Sequence, residues 1–214
     1  MGRLYPLQDR ILSALSRLDT EFYLTGGTAA SRGYLQHRLS DDLDLFVNDD
    51  DRFTLWAGRV IQALDGDAGR RVEVLQREGR FVRLVVTEDD IALKIEMVNH
   101  VPAHVGEVRR HPTLGRLDSP ENILANKISA AVDRREPKDL ADIWGFCCLL
   151  GLSCEAALTD ARSKAAGLFA ADVARVLLGV TRADWELVRW RDAPPAERFV
   201  ADLHVLGERL VLPG

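Results

Sequence analysis

Residues 42–47 read Asp-Leu-Asp-Leu-Phe-Val. That is the alternation of a strand, in which side chains two apart share a face. Asp42 and Asp44 therefore converge on one side, while Leu43, Leu45 and Val47 turn to a core. A short apolar strand upstream, Tyr23-Leu24-Thr25, runs into Gly26-Gly27-Thr28. Two converging carboxylates repel each other unless a cation sits between them, and hard oxygen ligands select Mg²⁺ or Mn²⁺. The Gly-Gly turn leaves backbone N–H groups free at a helix start, where they can cradle phosphate. A phosphate cradle beside a metal-binding carboxylate pair is the equipment that nucleotidyl transfer requires.

That reaction is an in-line attack on the α-phosphorus of a nucleoside triphosphate, and two metal ions absorb the charge that develops. A third carboxylate is expected on a neighbouring strand, as metal ligand or base. Glu96, in Leu93-Lys94-Ile95-Glu96-Met97, supplies one, the other reading being a solvent-facing acid on a half-exposed strand. Lys127 falls within the apolar stripe Ile123, Leu124, Ile128 and Ala131 of its helix, so its charge must reach a partner or a cleft. Asp139 and Asp142, spaced i, i+3 on the next helix, can hold Lys127 or a nucleotide hydroxyl; Asp139 also fits as a helix N-terminal acid. Arg38 suits phosphate or a structural pairing with a carboxylate, and Ser40 suits a phosphate oxygen. His100, His104 and His111 read as loop histidines, because Pro102 breaks the helix that would align a zinc site. No Walker-type phosphate loop is present.

In sum the residues resemble the polymerase-β-type nucleotidyltransferases, most nearly the AbiEii-type toxins of abortive-infection and type IV toxin–antitoxin systems. Gly26, Gly27, Arg38, Ser40, Asp42 and Asp44 match the first motif of that family. Lys127, followed by Lys138-Asp139-Leu140-Ala141-Asp142, resembles its later block. The resemblance spans roughly Phe22 to Trp144. It implies catalytic roles for Asp42, Asp44, Glu96, Lys127 and Asp142. It also implies nucleotide contacts from Gly26, Gly27, Thr28, Arg38, Ser40, Lys127 and Asp139, with Asp42, Asp44 and Glu96 on Mg²⁺ or Mn²⁺. The donor would be a nucleoside triphosphate, the acceptor an RNA (the 3′ end of tRNA among them) or a protein hydroxyl, and the partner a cognate antitoxin. The same chemistry serves enzymes that nucleotidylate aminoglycosides or lincosamides. A non-catalytic nucleotide-binding regulatory module is a third reading, against which the intact Asp-x-Asp argues.

The expected fold is α+β: a polymerase-β-type nucleotidyltransferase sheet over 1–118, and an all-helical half over 119–214 that completes the nucleotide cleft. Apolar spacing predicts helices over 6–18, 28–35 and 53–64, and strands over 22–24, 43–48, 71–76, 80–87 and 91–98. Ser119-Pro120 is a capped helix start, and helices follow over 120–133, 137–150, 153–164, 167–178 and 196–210. The chain has 214 residues, 47% of them hydrophobic and 29% charged, the profile of a soluble globular protein. Its net charge of −5 exerts no general pull on nucleic acid or on an anionic membrane. Some arginines of two clusters, Arg70/Arg71/Arg77/Arg80/Arg83 and Arg109/Arg110/Arg116, are expected to line one rim of the cleft for an RNA acceptor. The start Met1–Pro6 carries no apolar signal region and no run is long enough to span a bilayer, so a cytoplasmic location is expected. Cys147, Cys148 and Cys154 are expected to be packed thiols.

Overall fold

The computed structural model describes residues 3–66 and 69–212; Met1 and Gly2, part of the stretch read for a targeting signal, lie outside the described residues. The chain forms two compact units, Met1–Ala29 with Ser40–Asp118, and Ala30–Leu39 with Ser119–Gly214. Residues 30–39 thus group with the helices, where the sequence suggested an unbroken division at 118/119. That segment is tied into the second unit by the Leu39 N–H donating to the Arg189 carbonyl, the Arg191 N–H donating to the His37 carbonyl, and the Arg38 guanidinium described below.

The first unit is built on a seven-stranded sheet. Its strands are β1 (Tyr23–Thr25), β2 (Leu43–Asn48), β3 (Arg70–Glu78), β4 (Phe81–Glu88), β5 (Ile91–His100), β6 (Arg109–His111) and β7 (Gly115–Leu117). The spatial order is β3-β4-β5-β2-β1-β7-β6. β5 lies parallel to β2 and β7 parallel to β1; the other neighbours are antiparallel. Alternation decides the faces. Leu43, Leu45 and Val47 join Val82, Leu84, Val86, Leu93, Ile95 and Met97, all buried, on one side. Helices α1 (Leu4–Leu15) and α3 (Phe53–Asp65) supply buried Leu7, Ile11, Leu12, Phe53, Trp56, Val60 and Leu64. Each such side chain removed from water contributes about 1.5–3 kcal/mol. The opposite face carries the polar members of the same strands.

The β6–β7 hairpin escaped the sequence reading because two three-residue strands show no usable alternation. It exists through long-range pairing, Leu117 with Leu24. His111 therefore sits on β6 and His100 ends β5, so only His104 of the three is a loop histidine. The short α2 (Gly26–Thr28) runs on as a π-helix over Ala29–Leu35, in place of one regular helix.

The second unit contains α4 (Pro120–Arg134), α5 (Pro137–Trp144), α6 (Cys154–Lys164), α7 (Ala170–Leu178), α8 (Arg182–Leu187) and α9 (Ala196–Val211), with a π-helical segment Gly145–Leu149 after α5. Ser119 caps α4 by accepting from the Asn122 N–H at 3.0 Å, with Pro120 at its first turn. Arg135, in the left-handed region at φ 45°, reverses the chain so that Pro137 can open α5. Trp144, Trp190 and Phe199 pack edge to face as the aromatic centre of this unit. The short α8, absent from the sequence expectation, buries no side chain fully and so leaves no apolar stripe to read. All three cysteines are free thiols, and the hydrogen bond with Cys154, together with burial, pushes Cys147 far up, away from reactivity. Among the described residues, no helix is long and apolar enough to cross a membrane.

Candidate active site

The sequence-predicted residues fall into two groups, one in each unit. In the first unit, Asp44 on β2 is in register with Glu96 on β5 on one side and Thr25 on β1 on the other. Asp42 precedes β2 on the same face. Gly26 follows β1 at φ +65°, and a Cβ built there would lie 2.0 Å from Asp44 Oδ2. Position 26 thus needs glycine twice, for its left-handed backbone and for the room that the Asp44 carboxylate fills. Gly26→Ala should therefore displace Asp44 and reduce transfer to near that of an Asp44→Ala variant, while leaving the sheet folded. A purified Gly26→Ala protein with unimpaired turnover would refute this.

The loop that delivers Asp42 is pinned from below. Buried Gln8 of α1 donates through Nε2 to the carbonyls of Ser40 (3.2 Å) and Asp41 (2.9 Å). The Thr28 hydroxyl donates to the Asp42 carbonyl at 2.5 Å and lies 3.0 Å from Ser40 Oγ. Thr28 is fully buried, so its hydroxyl positions the Asp42 backbone.

Lys94 is a member of this face that the sequence reading passed over. Its Nζ lies 3.0 Å from Asp42 Oδ2 and 3.2 Å from Glu96 Oε1. Burial works to lower its pKa, but the two carboxylates outweigh that and raise it. The alternation Lys94-Ile95-Glu96 was the available signal, since it puts the lysine and the acid on one face. Glu96 also accepts from Arg83 Nε at 2.8 Å. Among the described residues no three His, Cys, Asp or Glu side chains are gathered into a ready-made metal cage. Carboxylate oxygens are nevertheless the donors that a hard cation would take. Three carboxylates share a face, and a side-chain ammonium already rests on two of them.

A further polar chain lies beside this group. Thr25 Oγ1 donates to Asp118 Oδ2 at 2.5 Å, and His104 Nε2 lies 2.9 Å from Asp118 Oδ1. Asp118 is fully buried at the end of β7, next to Leu24. It belongs to no motif, and no spacing in the sequence could have joined it to residue 25.

The second group is a buried charge network. Lys127 Nζ lies 2.7 Å from both Asp139 Oδ1 and Asp142 Oδ2. Arg38 grips Asp142 with two bonds, Nε to Oδ1 at 2.7 Å and Nη2 to Oδ2 at 2.6 Å. His37 Nε2 stands 3.1 Å from Asp142 Oδ1, and Arg134 Nε donates to Asp139 at 2.8 Å. Burial would push Asp142 up, but the Arg38 and Lys127 charges hold it well below the usual carboxylate range. Asp139 is likewise depressed, by Lys127 and Arg134 acting against its burial. Burial would lower Lys127, and the charges of Asp142 and Asp139 raise it instead. Lys127, whose charge the sequence said must reach a partner or a cleft, is 5% exposed and held by two aspartates. Arg38 takes the structural-pairing option. The sequence showed that a charge in an apolar stripe needs partners, and it offered Asp139 and Asp142 among them.

The arginine clusters are largely compensated. Arg70 binds Glu88 at 2.9 Å, Arg71 faces Glu73 at 3.4 Å, and Arg80 binds Asp49 at 2.7 Å and the carbonyls of Asn99 and His100. Arg116 binds Glu21 at 2.6 Å. By strand register only Arg71 and Arg83 of the first cluster share the carboxylate face.

A carboxylate row beside a strand–Gly-Gly–helix turn, on a mixed sheet, defines a nucleotidyltransferase. Solved structures share the fold, among them the following three. A protein from H. pylori described as a candidate nucleotidyltransferase aligns at TM-score 0.67 and 20% identity, covering 98% of this chain and 95% of that one. JHP933 from Helicobacter pylori aligns at TM-score 0.63 and 21% identity, over 97% and 90% of the two chains. MenT4, the nucleotidyltransferase toxin Rv2826c of Mycobacterium tuberculosis H37Rv, aligns at 0.60 and 18%, over 97% and 82%. No curated protein sequence matches the chain. The family model for the AbiEii nucleotidyl transferase toxin of type IV toxin–antitoxin systems matches residues 10–185, and the chain belongs to that family.

Proposed function

We propose that this toxin-family nucleotidyltransferase transfers a nucleoside monophosphate from a triphosphate to an RNA hydroxyl, in a reaction dependent on Mg²⁺. The observation that supports the transfer chemistry is that Asp42, Asp44 and Glu96 share one sheet face, with Gly26 bared to admit Asp44. Those three carboxylates would hold the divalent ions, which when bound neutralise phosphate charge and activate the attacking oxygen. The acceptor oxygen forms its bond to the α-phosphorus as the bond to the β-phosphate breaks, and pyrophosphate leaves. The hydroxyl proton passes to a carboxylate of the row or to water. Lys94 contributes a positive charge on the same face, suited to phosphate oxygens. On this reading the Gly26-Gly27 N–H groups would meet the triphosphate. The Lys127 network holds α4, α5 and the Arg38 segment in place and acts through architecture.

The direct test incubates purified protein with each α-labelled triphosphate, Mg²⁺ and a total RNA pool. Label in RNA with matching pyrophosphate release is the expected result; label confined to protein would move the acceptor to a side-chain hydroxyl. In cells, inducing the chain without its antitoxin should arrest growth, and Asp44→Ala should restore near-normal colony counts. Arrest that persists undiminished in that variant would separate toxicity from transfer.

A further inference from the structure

The carboxylate face carries a second row that the transfer chemistry leaves unused. Phe81, Val98, Phe46 and Tyr23 stand side by side across β4, β5, β2 and β1. Arg83, Glu96, Asp44 and Thr25 form the adjacent row, one strand repeat or roughly 7 Å away. Tyr23 is buried, with the His104 ring edge-on at 5.4 Å, and closes one end. Phe46 and Phe81 remain partly exposed. The His100 ring lies 5.3 Å from Phe46 at a 32° tilt, and the Arg83 guanidinium sits 5.2 Å over Phe81. The same strands bury their aliphatic side chains completely on the other face, so these rings are not what fills the core.

Charge bears on how an acceptor is held. The protein carries a net −5, and most arginines near this face are tied to acids. Phosphate pairing is therefore a weak handle, whereas stacking on an aromatic ring needs no net charge. We propose that Phe46 and Phe81, with His100 and Arg83 beside them, form a stacking platform for bases at the single-stranded 3′ end of the RNA acceptor. This rests on the RNA-transfer reading and deepens it. Stacked bases in the aromatic row leave the terminal hydroxyl beside Asp44 and Glu96. Affinity then depends on ring identity more than on salt.

The test measures binding of a 5′-labelled single-stranded RNA oligonucleotide to the full chain by fluorescence anisotropy, with triphosphate affinity measured separately. Phe46→Ala and Phe81→Ala should each weaken RNA binding about 5- to 100-fold. Phe81→Trp should retain it, which guards against a folding defect. The salt slope should be shallow, about that of one or two phosphate contacts. Unchanged RNA affinity in both alanine variants overturns the platform, as does failure of the wild-type chain to bind single-stranded RNA. Loss of triphosphate affinity in place of RNA affinity would also overturn it, by showing that the donor base stacks there. If the wild-type chain labels RNA and the alanine variants label it equally, the platform fails and transfer stands. If the wild-type chain transfers nothing to any acceptor, the transfer reading itself fails.

Discussion

Asp44→Ala should lower nucleotidyl transfer by roughly 10²- to 10⁴-fold, because ion-mediated charge stabilisation contributes several kcal/mol to the transition state. Asp44→Asn should fail nearly as badly. It keeps the shape that fits against Gly26 but loses the charge that draws a cation. Asp42→Ala should lose comparable activity and also release Lys94 from one of its two partners. The fold should survive all three changes, since Leu43, Leu45 and Val47 on the other face carry the packing of β2. Steady-state rates with Mg²⁺ as sole metal, alongside thermal melts, give the answer. Near-wild-type turnover in both alanine variants would remove the carboxylate row from the mechanism.

Lys127→Met should destabilise the protein by about 3–5 kcal/mol, since removing one partner leaves buried charge uncompensated. For a chain of this length that corresponds to a fall in Tm of roughly 10 °C. Asp139 and Asp142 would keep Arg134 and Arg38, but they would lose the ammonium both share at 2.7 Å. The pH dependence follows from the directions of the shifts. Asp139 and Asp142 are depressed in the folded chain, so their contribution is present above the unfolded value near ~3.9. It is lost as pH falls through their lower folded values. Lys127 is raised, so its contribution is complete below ~10.4 and is lost as pH climbs through its higher folded value. Melts across pH should therefore show a plateau between those limits, with the fall at each end shallower in Lys127→Met. A variant of unchanged Tm and a raised KM for triphosphate would instead restore Lys127 to the nucleotide.

Alternation alone placed Asp42 and Asp44 on one face and Leu43, Leu45 and Val47 on the other, because the two-residue period of a strand is local geometry. The Ser119-Pro120 helix start was legible for the same reason: capping is satisfied within four residues. The apolar stripe around Lys127 announced that its charge must reach a partner or a cleft. None of this required knowledge of what lay across the sheet or on the next helix.

Contacts between segments far apart in the chain are another matter, since periodicity carries no information about which strand lies beside which. Glu96 became a neighbour of Asp44 only when β5 paired in parallel with β2, and Lys94 arrived between the acids by the same register. Asp118 reached Thr25 through the unpredicted pairing of β7 with β1, and Arg38 crossed to Asp142 over 104 residues. The sequence by itself therefore determined the chemistry available at the site and the faces on which it stands. Tertiary structure decided which of those charges pair with each other and how deeply each pair is buried, because desolvation and pairing depend on three-dimensional neighbours.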